Sequence, residues 1–192
     1  LLVGSGGVLS HAPRREQSAR MLIDAFMPEG ITQLAVDSIF MMPQLGVLAN
    51  IEKEDLAEEA RTAALEVFHK DCLIRLGTCI APVGKAKEGA TVLAAEFAMP
   101  DGSTIHHNLK KNELYRIEAP YEPIQAKLTP DKKMNIGAGK GEPIDTTVYG
   151  GVVGLILDGR DRPITIPNDS ESRLAALKSW SEAVNEYPNT NS

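Results

Sequence analysis

The stretch of this 192-residue chain best suited to chemistry is its opening, Leu1-Leu2-Val3-Gly4-Ser5-Gly6-Gly7-Val8-Leu9-Ser10-His11-Ala12-Pro13. An apolar strand breaks at a glycine-rich turn and resumes at once as a helix. Glycine tolerates φ > 0 and lets bare backbone approach a ligand, and the first N–H groups of a helix attract oxygen atoms. Such a turn can receive a nucleotide, and it also serves as a plain strand-to-helix connection. Two common fingerprints do not fit. A Gly-x-Gly-x-x-Gly dinucleotide loop would need glycine where Leu9 stands, and Asp37 comes too late to be its ribose carboxylate. No Gly-Lys-Ser/Thr follows, so the turn is not a P-loop.

Other residues carry chemistry in type but with competing structural readings. Ser10 and His11 sit where a helix is expected to start, and either cap it or touch a ligand. Asp37 follows a short strand near Leu34–Val36 and either caps the next segment or faces a cleft. His106 and His107 are neighbours in a strand, so they point to opposite faces and cannot pair as metal ligands; hairpin or surface packing is expected. Gly137-x-Gly139-x-Gly141 with Lys140 resembles a phosphate loop only loosely. It lies between β segments, which favours a glycine-dependent bend. Asp158, Arg160 and Arg162 read as a salt-bridged turn, with a partner contact as the alternative. Cys72 and Cys79 lack companions at zinc spacing, and two cysteines in a chain of this length fit a reducing cytoplasm better than a disulfide framework. No catalytic set and no metal set emerges.

The elements that must position these residues follow from periodicity. A helix is expected over 13–27, with Ala19, Leu22, Ile23 and Phe26 on its inner face, ended by Pro28-Glu29-Gly30. The apolar run Ser38–Leu48 reads as a buried turn and short helix, with Phe40, Met41 and Met42 in the core. A clear amphipathic helix is expected over 52–68, with Leu56, Ala60, Ala63, Ala64 and Val67 on one face and Glu52, Glu54 and Asp55 in its first turn. After about residue 70 short β-rich runs follow at Cys72–Ala81, Thr91–Met99, Thr104–Leu109, Glu113–Glu118 and Ile124–Leu128, with an Asp101-Gly102 hairpin turn. Thr147–Asp158 is the most apolar strand-like segment, and Ile164–Ile166 a short return strand. Asn168 is expected to cap a last helix reaching about Glu186, with Leu174, Leu177, Trp180 and Val184 inward. The expected organisation is therefore α/β over 1–70, then a mainly β, barrel- or sandwich-like domain over 71–192 with a closing helix.

Composition narrows the function classes. The apolar share of 43% and charged share of 24% are ordinary for a soluble globular chain, and no run approaches the ~20 residues of a membrane span. The net charge is −6, with 5 basic against 10 acidic residues over 1–68 and 15 against 16 over 69–192. Neither part is basic, which argues against nucleic acid and anionic membranes as partners.

Four motifs in one order carry a family resemblance. Gly4–His11, Asp37–Leu48, Asn135–Gly141 and Gly150–Pro163 together resemble the accessory protein of methylaspartate (glutamate) mutase, the "mutase L" family, over nearly the whole chain. In the last motif Arg160-Asp161-Arg162-Pro163 stands where the family pattern has Arg-Gly-Arg-Pro, and the aspartate weighs against anion binding there. That family is similar to the actin-like ATPases, which include sugar kinases and heat-shock chaperones. The resemblance implies that 1–70 is the C-terminal part of an actin-like lobe and that Gly4, Ser5, Gly6 and Gly7 form its adenosine-side loop. It implies ATP or ADP with magnesium as cofactor of a longer parent protein, whose phosphate and magnesium sites would lie upstream of Leu1. No nucleotide is expected to stay tightly bound to this chain alone, nor is ATP hydrolysis. The implied partner is an adenosylcobalamin-dependent mutase, served by a reactivase-like chaperone in the cytoplasm, with the β-rich part facing it. Alternatives are a small-molecule kinase of the same superfamily and a non-catalytic interaction module with a degenerate nucleotide site.

Overall fold

The computed structural model describes residues 1–50 and 57–187. The first part of the expected 52–68 helix, with Leu56 and its leading acids, lies outside the described residues. The elements run β1 (Leu2–Gly4), α1 (Gly7–Ser10), α2 (Arg15–Phe26), β2 (Gly30–Asp37), α3 (Met42–Ala49) and α4 (Ala57–Val67). A π-helical turn over Phe68–Cys72 leads into β3 (Leu73–Ala81), β4 (Val83–Gly84), β5 (Thr91–Ala98), β6 (Thr104–Lys110) and β7 (Leu114–Ile117). There follow β8 (Pro123–Pro130), β9 (Met134–Asn135), β10 (Ile144–Tyr149), β11 (Gly154–Asp158) and α5 (Ser170–Ala183).

Period-two alternation sorts the strands into layers. A five-stranded mixed sheet has the order β1-β2-β3-β11-β7, and a four-stranded antiparallel sheet the order β10-β8-β5-β6. Leu155 and Leu157 of β11, with Ile80 and Ile117, face the second sheet and pack on Val92, Phe97, Leu109, Ile124, Leu128 and Val148. The other face of the mixed sheet presents Leu34, Val36, Leu76, Cys79 and Ile156 to Ala19, Leu22 and Ile23 of α2 and to Trp180 and Val184 beside them. The result is helices on a mixed sheet on an antiparallel sheet, with a core in each gap. The two sheets face each other as in a sandwich and do not close into a barrel. Hydrogen bonding also runs straight across residue 70, since β2 pairs antiparallel with β3 from Gly30↔Ala81 to Asp37↔Leu73.

Several expectations change on contact with the fold. Helix α2 starts at Arg15, where Gln17 Oε1 accepts the Arg14 N–H at 3.3 Å, and Phe26 is 62% exposed rather than inward. The expected strand over Thr147–Asp158 is two strands on different sheets. Its ladder with β8 ends at Tyr149, after which Gly151 N–H donates to Ala119 O and Val152 N–H to Arg75 O. Residues 164–166 form no strand. The cap of α5 is Asp169, not Asn168: its carboxylate accepts the Ser172 N–H at 2.8 Å, a bond that holds it below the ordinary aspartate range. Trp180 and Val184 face inward as expected, whereas Leu174 is 68% exposed and Leu177 is only partly covered. The Asp101-Gly102 hairpin is present, with Met99 N–H donating to Ser103 O.

The largest departure is α3. The run 38–50 carries no charge, yet α3 buries no residue, and Ile39, Phe40, Met42, Val47 and Leu48 are all exposed. Apolarity marks a side chain as fit for burial; a neighbouring surface must exist to bury it. Among the described residues α3 contributes little to the core, so Val47→Asp is expected to change stability by less than about 0.5 kcal/mol. Leu22→Ala, in the core under α2, is expected to cost about 2–5 kcal/mol. Urea unfolding of the two variants checks the contrast.

Candidate nucleotide turn and the buried ion cluster

Strands β1 and β2 are parallel, with Gly4 opposite Val36, so their C-terminal ends lie side by side. In open α/β sheets the space beyond such ends is where ligands bind. Here that space is framed by the turn Ser5–Gly7 and the turn after Asp37. Asp37 knits them together. It is fully buried, and its carboxylate accepts from Ser5 Oγ (3.2 Å), Met41 N–H (3.1 Å) and Met42 N–H (2.8 Å). Its carbonyl also accepts a hydrogen bond from Ser10 Oγ. Asp37 therefore caps the next segment, and its oxygens are committed to the fold. Ser10 and His11 are not at a helix start, as expected from the sequence, but at the end of α1, with His11 N–H closing on Gly7 O at 3.0 Å.

The four turn residues separate by role. Gly4 is buried, and a Cβ there would meet Leu9 Cδ1 at 2.8 Å and Leu22 Cδ2 at 2.9 Å, so its bareness lets the helices seat on β1. Ser5 spends its hydroxyl on Asp37. Gly6 turns the chain at φ +110°, and neither it nor Gly7 has any atom within 4 Å of where a Cβ would stand. Open space thus lies beside the bend.

The Asp158 turn is a buried ion cluster. Arg160 grips the Asp158 carboxylate with Nε (2.9 Å) and Nη2 (2.8 Å), and Arg162 Nη2 reaches it at 2.9 Å. Burial alone would push this carboxyl up. The Arg160 hydrogen bonds and the charges of Arg160 and Arg162 outweigh that and hold it below its ordinary value. Arg160 also pairs with Asp24 of α2 at 2.8 Å and lies 5.0 Å over the Trp180 ring, which ties α2, the turn and α5 together. Asp161, between the two arginines, pairs with Lys111. Asp24, Arg20 and Trp180 were missed in the sequence as members of this cluster. Their only local signal was the Arg20–Asp24 spacing of four, seen here as an ion pair of 2.6 Å.

The remaining motifs settle as structure. His107 stacks on Tyr115 with centroids 3.6 Å apart and sits 3.2 Å from Glu113, while His106 lies beside Glu96 across the hairpin. Asn135 Oδ1 accepts the N–H groups of Gly137 (2.8 Å) and Gly139 (3.0 Å), making the glycine run a closed bend. Cys72 and Cys79 are buried and unbridged. Burial, then the Asp158 charge, pushes the Cys79 thiol up, which keeps it protonated.

The family model described as MutL protein matches residues 1–71, a span that contains the whole glycine turn and Asp37. That segment is similar to the MutL family. It is the glutamate mutase accessory family, not the mismatch-repair protein that shares the name. No curated protein and no solved structure matches the chain. The MutL segment ends one residue before Cys72 and so supplies β1, β2 and the helices between and after them, while β3 onward completes the sheet. Among the described residues no helix is long and apolar enough to cross a membrane.

Proposed function

We propose that this chain is part of an ATP-dependent accessory protein, reactivase-like in its action, for an adenosylcobalamin-dependent mutase of the glutamate mutase type. The observation that carries the reading is the MutL match over residues 1–71. In this reading 1–71 is the adenosine-side part of an actin-like lobe, and the turn Gly4–Gly7 receives the base and ribose of ATP or ADP. The open space beside Gly6 and Gly7 supports that use. Gly4 would act by packing and Ser5 by holding the turn to Asp37, leaving the backbone of residues 5–7 to meet the nucleotide.

The fit does not extend to magnesium. Asp37, the carboxylate at the turn, is fully buried and already accepts three hydrogen bonds, so the metal-bound phosphates would be held by other parts of the parent protein. The same commitment deprives the small-molecule kinase reading of its one nearby base. Work on the mutase would come from differential binding of nucleotide to two arrangements of the lobes, with loosening of the mutase as the output.

Gly7→Leu tests the site. Gly7 has free space around it and no positive φ, so the fold should tolerate leucine there while the side chain enters the proposed base position. The full-length parent protein carrying Gly7→Leu is expected to melt within about 2 °C of wild type and to bind ATP at least tenfold more weakly, a loss of about 1.4 kcal/mol. Unchanged ATP affinity, read by isothermal titration, would remove the assignment. ATP turnover of the full-length protein that rises on adding its mutase separates the accessory role from a kinase, whose turnover would rise with a metabolite.

A further inference from the structure

Three buried side-chain nitrogens lack a hydrogen-bond acceptor among the described residues, and two of them, Arg20 Nη1 and Arg160 Nη1, belong to one cluster. Both guanidinium groups lie over Trp180, at 5.7 and 5.0 Å. Asp24 joins them, but both its oxygens are spent, one on Arg20 Nε at 2.6 Å and one on Arg160 Nη2 at 2.8 Å. Glu186 approaches Arg20 Nη1 only to 3.9 Å, beyond hydrogen-bond reach. The formal charges cancel: Arg20, Arg160 and Arg162 stand against Asp24, Asp158 and Glu186. The donors do not cancel. A buried donor without a partner costs roughly 1–3 kcal/mol, so an oxygen acceptor is what this cluster lacks.

Beside the cluster lies a groove of about 730 Å³ between α2 and α5, with Arg20 among its lining residues. Arg20 has only 9% of its side chain exposed. The groove is apolar through Met21, Leu174, Leu177 and Tyr187; the carboxylates of Asp24 and Glu186 also line it, and Lys178, 3.8 Å from Glu182, borders it. Leu174 and Tyr187 are each 68% exposed, so these side chains have found no cover within the described residues. A concave apolar wall of this size next to a few placed polar groups is the usual form of a small-molecule site.

We propose that this groove binds a small carboxylate with an apolar body, an aryl-alkanoate or medium-chain alkanoate. Its carboxylate displaces Glu186 to accept from Arg20 Nη1, with Lys178 adding charge, and its apolar body lies on Leu174, Leu177 and Tyr187. The site shares no residue with the glycine turn, so it stands or falls separately from the nucleotide reading.

Three probes with one body and different heads test it: 4-phenylbutyrate, 4-phenylbutanol and 4-phenylbutylamine, titrated into the 192-residue chain and followed by amide NMR shifts. The carboxylate should bind at least tenfold tighter than the alcohol or the amine, with shifts concentrated on α2 and α5. Leu177→Gln, at a partly exposed position that leaves the fold intact by circular dichroism, should weaken it at least fivefold. Lys178→Gln, on an exposed side chain, should weaken it severalfold. Equal binding of the three heads, carboxylate binding that ignores Leu177→Gln, or no carboxylate binding at millimolar concentration would each overturn the proposal. The last result would mean that no ligand of this class serves Arg20 Nη1.

Discussion

Gly77→Ala is expected to leave the chain unable to fold. Gly77 of β3 stands opposite Gly154 of β11 in the middle of the mixed sheet, with Leu34 of β2 on its other side. Its φ is +142° and that of Gly154 is +103°, conformations that L side chains rarely adopt. A Cβ on Gly77 would overlap the Gly154 carbonyl oxygen, a backbone atom with nowhere to go because cores press on both faces of the sheet. Strain and lost pairing add here, so the cost should exceed about 4 kcal/mol, a large part of the roughly 5–15 kcal/mol that holds a domain together. Gly102 is the control. It also has positive φ (+84°), but nothing lies within 4 Å of its Cβ position, so Gly102→Ala should cost only about 1–2 kcal/mol. Soluble yield and urea unfolding distinguish them. A Gly77→Ala protein as stable as Gly102→Ala would refute the packing described for β3 and β11.

Asp158→Asn should be the most damaging change of charge. The variant keeps the shape but leaves Arg160, which is 2% exposed, facing Arg162 with only Asp24 in compensation. Removing one partner of a buried ion pair typically costs about 3–5 kcal/mol, because the survivor stays buried and uncompensated. The pH dependence follows from the direction of the shift. The Asp158 carboxyl is held below its ordinary value in the folded chain, so the folded state binds its proton less readily than the unfolded state does. Its contribution is therefore present above the ordinary aspartate value of about 3.9 and lost as the pH falls through the folded-state value. Wild type and Asp158→Asn should differ most at neutral pH and converge in acid. Unfolding free energies from pH 7 down to pH 3 check this, and a constant difference across that range would mean the cluster is not held by the ionised carboxylate. Because Arg160 links Asp24 to Asp158, the damage should appear as loosened α2 and α5, read by hydrogen exchange.

Much of the local structure was legible in the chain, because period-two apolar patterns and turn residues act over a few neighbours. Strands β5, β6 and β8 of the antiparallel sheet, the Asp101-Gly102 hairpin, the Asp37 cap, the opposed histidines and the Asp158–Arg160 turn were all readable in this way, whereas β10 was not. So was the family likeness of residues 1–71, which the glycine turn and the run after Asp37 carry without coordinates. The sequence could not say which apolar faces would find a partner. Phe26, Phe40, Leu174 and Leu177 have the right spacing for burial and stay partly or largely exposed, while Arg160, a charged residue, is among the most buried. Burial depends on what surface arrives from elsewhere in the chain, and the residues that close around Arg160 come from positions 24, 158 and 180. The division of 147–158 between two sheets, and the sheet that crosses residue 70, have the same origin. Hydrogen-bond ladders between strands distant in sequence form only when the layers stack, and that stacking leaves no mark on any short run of residues.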